Sequence, residues 1–242
     1  MKEVMHMGEQ QAKLAIANPI IEASFIERLN RFEASVSIDG VSTLVHVPNS
    51  GRLRELFTPG ARVLLEVRDR PGRKTPYELE MVYKGDRLIS VDSQIPNRLM
   101  LKSLLNRAVP GFEGYGLIER EKTYGSSRFD IKMTEGREIC YMEIKGVTLE
   151  RDGTAMFPDA PTVRGCKHVR ELMDVKKNGM RAVLMFVIQM DGIDGFTTNS
   201  ATDPEFAQNV GRAAESGVEV CAYDCTVSPD GISLNEEIKC KI

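Results

Sequence analysis

The sequence has no apolar run approaching the roughly 18 to 20 residues needed to cross a bilayer. Its opening, MKEVMHMGEQQAKLAIANP, lacks the compact apolar centre of a secretory signal. A soluble, cytoplasmic protein with no membrane partner is therefore expected. A disulfide framework is also missing: the five cysteines, an odd number, lie at 140, 166, 221, 225 and 240, which fits reduced thiols. Cys221 and Cys225 have no second clustered pair to complete a structural zinc site. There is no internal repeat and no low-complexity tract. A net charge of -3 excludes a uniformly basic nucleic-acid-coating protein and leaves local patches open.

What is present is enough for packed cores. The chain has 242 residues, 42% of them hydrophobic, which suits two modest domains or one large one. Charge is unevenly spread. From Gly51 to Thr75, seven cations (Arg52, Arg54, Arg62, Arg68, Arg70, Arg73, Lys74) stand against three acids (Glu55, Glu66, Asp69).

Between residues 31 and 91 the apolar pattern has period two, the mark of strands with one buried face. Phe32, Ala34, Val36 and Ile38 alternate with polar residues, and Asp39-Gly40 supplies a hairpin turn before a strand from Val41 to Val47. Val63–Val67, Tyr77–Tyr83 and Leu88–Val91 read as three more strands, with a helical segment at Arg52–Phe57. Five short strands with these turns predict a small closed barrel of the OB type. After Pro96 the period lengthens. Helices are predicted at 97–109, 162–177 and 203–216, and strands at 117–124, 127–134, 138–148, 181–190 and 218–224, an α/β sheet with helices covering it. The reading is α+β overall: a leader over 1–20, a barrel over 21–95 and an α/β domain over 96–242.

The segment SRFDIKMTEGREICYMEIKG carries the chemistry. If Glu135-Gly136 is a two-residue turn, Thr134 pairs with Arg137 and Asp130 falls opposite Tyr141. Side chains alternate across a strand and opposed residues share a face. Phe129, Ile131, Met133, Cys140, Met142 and Ile144 then form a core face. Arg128, Asp130, Lys132, Tyr141, Glu143 and Lys145 form the other. Two converging carboxylates repel unless a cation lies between them, and a hard divalent ion such as Mg²⁺ or Mn²⁺ takes oxygen ligands of this kind. Asp130 and Glu143 are thus the expected metal ligands, with Lys145 placed to act on water or phosphate. An acid followed by acid-x-lysine on the next strand is the pattern of the PD-(D/E)xK nuclease fold; the alternative is an exposed, ion-paired face.

In FPDAPTVRGCKHVRELM, Thr162 is a suitable N-cap. Val163, Cys166, Val169, Leu172 and Met173 make an apolar stripe, leaving Arg164, Lys167, His168 and Glu171 off it. Arg164 and His168, four apart, share a helical face suited to holding phosphate near the strand carboxylates. Arg164 and Lys167 are expected nucleic-acid contacts and His168 a catalytic one. In the barrel, His46, Asn49, Ser50, Gly51 and Arg52 lie where a strand gives way to a turn, and Arg52 with Arg54 is expected to meet phosphates.

These segments together resemble the sugar fermentation stimulation protein A (SfsA) family. HVPNSGRL, PNRL, YGSSRFD, YMEIKGVTL, FPDAPTVRGCKHVREL and RAVLMFV fall in the family's order over nearly the whole chain, while the N-terminal leader finds no counterpart. The resemblance implies an N-terminal OB-like domain, a PD-(D/E)xK nuclease-like domain and DNA binding, with the family's acidic and lysine positions on Asp130, Glu143 and Lys145. Glu121, in REKTYG, matches another acid of the family's pattern and is a candidate third catalytic acid of the site; Glu119 shares its face, and the alternative is a plain surface glutamate. The expectation is a protein that binds DNA, or RNA, and carries a divalent-metal nuclease-like site. The alternative is a non-catalytic DNA-binding regulator of sugar metabolism.

Overall fold

A computed structural model describes residues 12–68 and 70–242; residues 1–11 of the expected leader lie outside that range. Near the start, β1 (Lys13–Ala15) pairs antiparallel with the distant β16 (Gly231–Glu237). The end of the expected leader is thus an edge strand of the second domain's sheet.

The barrel comprises β2 (Ile20–Arg28), β3 (Glu33–Ile38), β4 (Val41–His46), β5 (Arg62–Val67) and β6 (Tyr77–Lys84), with β7 (Arg87–Ser90) hairpinned onto β6. Strand order is β4-β3-β2-β5-β6-β7, and a parallel contact of His46 with Glu78 closes β4 on β6. Two expectations are corrected. The central strand is β2, absent from the period-two reading, and the expected fifth strand, β7, is an appendage outside the closure. Residues 20–28 hide their alternation because Ile20 and Ile21 are adjacent and the register shifts between Phe25 and Glu27. Arg52–Phe57 is a run of turns and not a helix: Leu53 has φ +47°, and Leu53, Leu56 and Phe57 plug the barrel interior.

The second domain is built on a seven-stranded sheet in the order β1-β16-β15-β13-β10-β9-β8. Its other strands are β8 (Leu117–Tyr124), β9 (Ser127–Glu135), β10 (Glu138–Val147), β13 (Arg181–Ile188) and β15 (Glu219–Ser228). β10, β13 and β15 run parallel. β13 reads RAVLMFVI because a central parallel strand is covered on both faces. A small sheet of β11 (Leu149–Arg151), β12 (Thr154–Phe157), β14 (Gly195–Thr198) and β17 (Cys240–Lys241) completes the fold. Neither that sheet nor β16 was expected.

Helices α2 (Val163–Lys177) and α3 (Pro204–Glu215) bury Cys166, Val169, Leu172, Phe206 and Val210 in a core containing Phe186 and Ala222 of the sheet. Helix α1 (Ile95–Leu105) brings Leu99, Met100 and Leu104 into a second core, where Ile131, Met142, Ile144 and Met185 meet Leu64 and Met81 of the barrel. Helix α1 starts earlier than expected because a proline is compatible with the first turn, where its missing N–H costs nothing. Asn97 is then the third residue of the helix, still in the opening turn. All five cysteines are free thiols, three of them buried.

The two domains are clamped by charge. Buried Glu150 of β11 receives Lys84 Nζ at 2.7 Å and Arg87 Nη1 at 3.2 Å, both from the barrel.

Candidate functional site

The β9–β10 hairpin turns at Gly136-Arg137, not Glu135-Gly136: Glu135 pairs with Glu138 and Lys132 with Tyr141. This slides the expected register by two residues. A shift of one would reverse every facing, but a shift of two preserves them, so Ile131, Met133, Cys140, Met142 and Ile144 share one core as expected. Phe129 does not join them. Its ring packs 5.6 Å from Tyr141 and 6.2 Å from His168, in the core under α2.

The switch falls at Asp130, opposite Glu121, whose φ is +52°. The β9–β10 ladder stops at Ile131–Met142, and Asp130 Oδ2 accepts the Ile144 N–H at 2.8 Å, standing in for a backbone carbonyl. Strand alternation slips there, sending Phe129 to the α2 side. Asp130 Oδ1 accepts Asn97 Nδ2 at 2.7 Å. Burial and the charge of Glu143 push Asp130 above the usual carboxyl value, against the opposing pull of the Ile144 N–H, Lys145 and Asn97.

Glu143 is buried. Its Oε1 accepts Lys145 Nζ at 2.6 Å and also meets His168 Nδ1. Burial pushes its carboxyl up, but the hydrogen bonds and charges of His168 and Lys145 outweigh it and leave the group below its usual value. Glu143 Oε2 is buried with no hydrogen-bond partner among the described residues. His168 sits in α2, whose start is fixed by Thr162 accepting the Gly165 N–H at 3.0 Å. Exposed Arg164 lies one turn earlier, its Nε 3.4 Å from His168 Nε2.

Asp130, Glu143, Lys145 and His168 are thus gathered in one place, with Arg164 at the rim. Lys167 and Glu121 are not gathered there. Lys167 Nζ is donated to the Ser126 carbonyl at 2.8 Å. Glu121 has φ +52°, and its exposed carboxylate lies 3.6 Å from Arg128. Glu119 is held by Lys122 and Lys132. Asn97, within PNRL, is the site residue that strand counting could not supply, because it arrives from another element.

The basic stretch of the barrel divides in two. Arg62 pairs with Glu22, Arg68 with Glu66 and Glu78, Arg73 with Glu78 and Lys74 with Glu33. Arg52 and Arg54 are exposed and make no ion pair or side-chain hydrogen bond among the described residues. They line a hollow of about 350 Å³ with Arg28 and Arg31. Gly51, at its edge, also lines a second cavity of about 150 Å³. That cavity runs between the domains to Gly146, Val147 and Thr148, directly after Lys145 on the chain.

Two family models match the chain: the SfsA N-terminal OB domain over residues 26–91 and the sugar fermentation stimulation protein RE domain over 94–231. A sugar fermentation stimulation protein homolog of Caldanaerobacter subterraneus is 58% identical over 93% of this chain and 99% of its own length. One from Clostridium botulinum is 48% identical over 95% of this chain and 100% of its own. A solved structure of Pyrococcus furiosus SfsA in complex with Ca²⁺ superposes with a TM-score of 0.86 at 27% identity, covering 96% of this chain and 99% of that one.

Proposed function

Given that the chain belongs to the sugar fermentation stimulation protein family, we propose that it binds DNA and hydrolyses phosphodiester bonds at a PD-(D/E)xK-like site. In this reading Asp130 and Glu143 hold Mg²⁺ or Mn²⁺, and Lys145 and His168 stand beside them. The observation that carries the proposal is Glu143 Oε2, a buried carboxylate oxygen with no partner among the described residues, close to the Asp130 carboxyl, which burial and then the charge of Glu143 push up.

The donor set fits a hard cation. Among the described residues no three His, Cys, Asp or Glu side chains are placed to hold one ion together, and His168 is turned onto Glu143, so the protein would supply two carboxylates. Mg²⁺ sites at phosphates commonly use one or two, the remainder being water and substrate. The Pyrococcus relative in complex with Ca²⁺ supports an oxygen-seeking ion in this family. Bound there, the cation would polarise a phosphoryl oxygen and offset its growing charge. The protein's own groups do the rest. His168 fixes the Glu143 carboxylate, Lys145 places an ammonium where phosphate charge develops, and Arg164 offers a guanidinium at the rim.

A second reading, the non-cutting DNA binder, draws on one feature: Lys145 and His168 are both spent on Glu143 Oε1, as in a purely structural charge cluster. The test pairs calorimetric titration of Mn²⁺ with cleavage of labelled DNA and RNA, using wild type and Glu143→Gln. Binding and cleavage in wild type, both lost in the folded variant, are expected. Equal Mn²⁺ binding, or none in either protein, gives the argument to the second reading.

A further inference from the structure

The hollow on the barrel has a neighbour that charge alone does not explain. The β2–β3 connection runs Leu29-Asn30-Arg31-Phe32, and Phe32 is 49% exposed. One face of its ring is backed by His46, with centroids 6.3 Å apart and planes 17° from parallel. The backbone around it is fixed: Phe32 N–H is donated to Asn30 Oδ1 at 2.8 Å, and its carbonyl accepts the Val47 N–H at 2.8 Å. A large apolar ring stands half exposed to water on a hydrogen-bonded turn, with His46 against one side of it.

Next to it the charge is positive and uncompensated. Arg31, Arg52 and Arg54 line the hollow with no carboxylate partner among the described residues. Beneath them Arg28 is pinned by the Asn30 carbonyl at 3.0 Å and stacked over Phe57 at 5.1 Å, and its Nη1 is buried without an acceptor. The nearest acid of the turn, Glu33, is taken by Lys74 at 2.5 Å. On the same domain Arg62, Arg68 and Arg73 are each paired with a carboxylate, whereas Arg31, Arg52 and Arg54 are not. Flat aromatic surface beside unpaired guanidiniums is the chemistry of an unpaired base next to its phosphates. A duplex hides its base faces within the stack and could offer only phosphates.

Building on the nucleic-acid reading above, we propose that this turn is a docking site for single-stranded nucleic acid. An unpaired base stacks on Phe32, and Arg31, Arg52 and Arg54 hold the flanking phosphates. Gly51 lines both the hollow and the interdomain cavity that Gly146, Val147 and Thr148 also line, so the proposed dock adjoins the cavity beside the strand carrying Glu143 and Lys145, with Asp159 on that cavity's wall.

The chain contains no tryptophan, so Phe32→Trp installs a single reporter at the stacking position. Its fluorescence is titrated with single-stranded and duplex oligonucleotides of equal length in EDTA, which prevents cleavage. Anisotropy with labelled oligonucleotides compares wild type, Phe32→Ala and the double variant Arg52→Glu/Arg54→Glu. Circular dichroism confirms that each variant is folded. The expected result is quenching by single strands and not by duplex, with single-strand affinity reduced on the order of ten-fold in Phe32→Ala. Duplex affinity should be unchanged in that variant and both affinities should fall in the arginine variant. If only the arginine variant weakens binding, or if duplex quenches equally, the stacking site is overturned while nucleic-acid binding stands. If wild type binds neither oligonucleotide, both readings fall.

Discussion

Asn97 Nδ2 lies 2.7 Å from Asp130 Oδ1, tying the first turn of α1 to the point where β9 leaves its ladder. Asp130 has surrendered ordinary strand pairing and needs its carboxylate oriented from outside, and this bond does that.

Replacing Asn97 with alanine should therefore act at the candidate site and on the fold together. Removal of a hydrogen bond to a charged group costs about 1.5–3 kcal/mol, and at this half-buried pair the loss is readable as a lower urea midpoint. The Asp130 carboxyl, already raised by burial and Glu143, would be without one of the hydrogen bonds that oppose the rise. Mn²⁺ affinity near neutral pH should fall. Asn97→Asp would bring a third carboxylate close and raise Asp130 further; a variant with unchanged stability and unchanged Mn²⁺ binding would deny Asn97 its positioning role.

Gly146 follows Lys145 and leaves no room for a side chain. A Cβ there would come within 2.7 Å of Gln189 Oε1 and of Pro96 Cγ. Gln189 cannot retreat easily because its Nε2 is donated at 3.0 Å to both the Ser90 and Asp92 carbonyls, bridging barrel and sheet. Gly146→Ala should lower stability by about 1–3 kcal/mol, the usual cost of overpacking, and disturb the strand at Lys145. An unchanged melting temperature would mean that the domain seam yields more readily than these bonds imply.

How far the sequence carried depended on whether the determining interactions were local. The face that includes Ile131, Met142 and Ile144 was legible because alternation survives a two-residue error in the turn. The side switch of Phe129 was not, since it falls where both ladders of β9 are interrupted and Asp130 takes the Ile144 N–H, a side-chain contact with no periodic trace. Strand β2 was hidden by its register shift, whereas β16 is a local hairpin partner of β15 that the reading passed over. The basic stretch was correctly seen as cationic, but its partners, Glu22, Glu33, Glu66 and Glu78, lie on separate strands and only folding reveals which arginines remain free.

At the seam between the domains, Glu80, Glu66 and Asp92 are buried together, with Glu78 beside them and Arg68 reaching all three glutamates. Burial, then the charges of Asp92, Glu78 and Glu66, push Glu80 up to about 8. Its unfolded value is near 4.5, so between these limits the folded chain holds the proton that the unfolded chain has lost. Stability therefore falls as pH rises from about 5 to 8, by at most about 1.4 kcal/mol per pH unit for this group. Glu80→Gln keeps the shape and removes the charging step. Its melting temperature relative to wild type should rise steadily across that range, and parallel pH profiles for the two proteins would refute the assignment.

The free and neutralised arginines of the barrel give the last prediction, because they differ in what binding would release. A guanidinium without a carboxylate partner can displace a counterion from a phosphate, whereas one already paired gains little by exchanging one anion for another. Arg52→Gln/Arg54→Gln should therefore weaken duplex DNA binding and reduce the slope of log affinity against log salt by about 2, close to one unit for each phosphate that is no longer neutralised. Arg62→Gln removes the same charge from a pair with Glu22 that is more than half exposed on both sides. It should leave the slope where it was, and exposed pairs of this kind contribute little stability, so the protein should stay folded. Affinity measured over a series of salt concentrations in EDTA for wild type and both variants decides the matter. Equal slopes in all three proteins would mean that phosphate is held elsewhere, and the exposed arginines of the hollow would then be solvated surface.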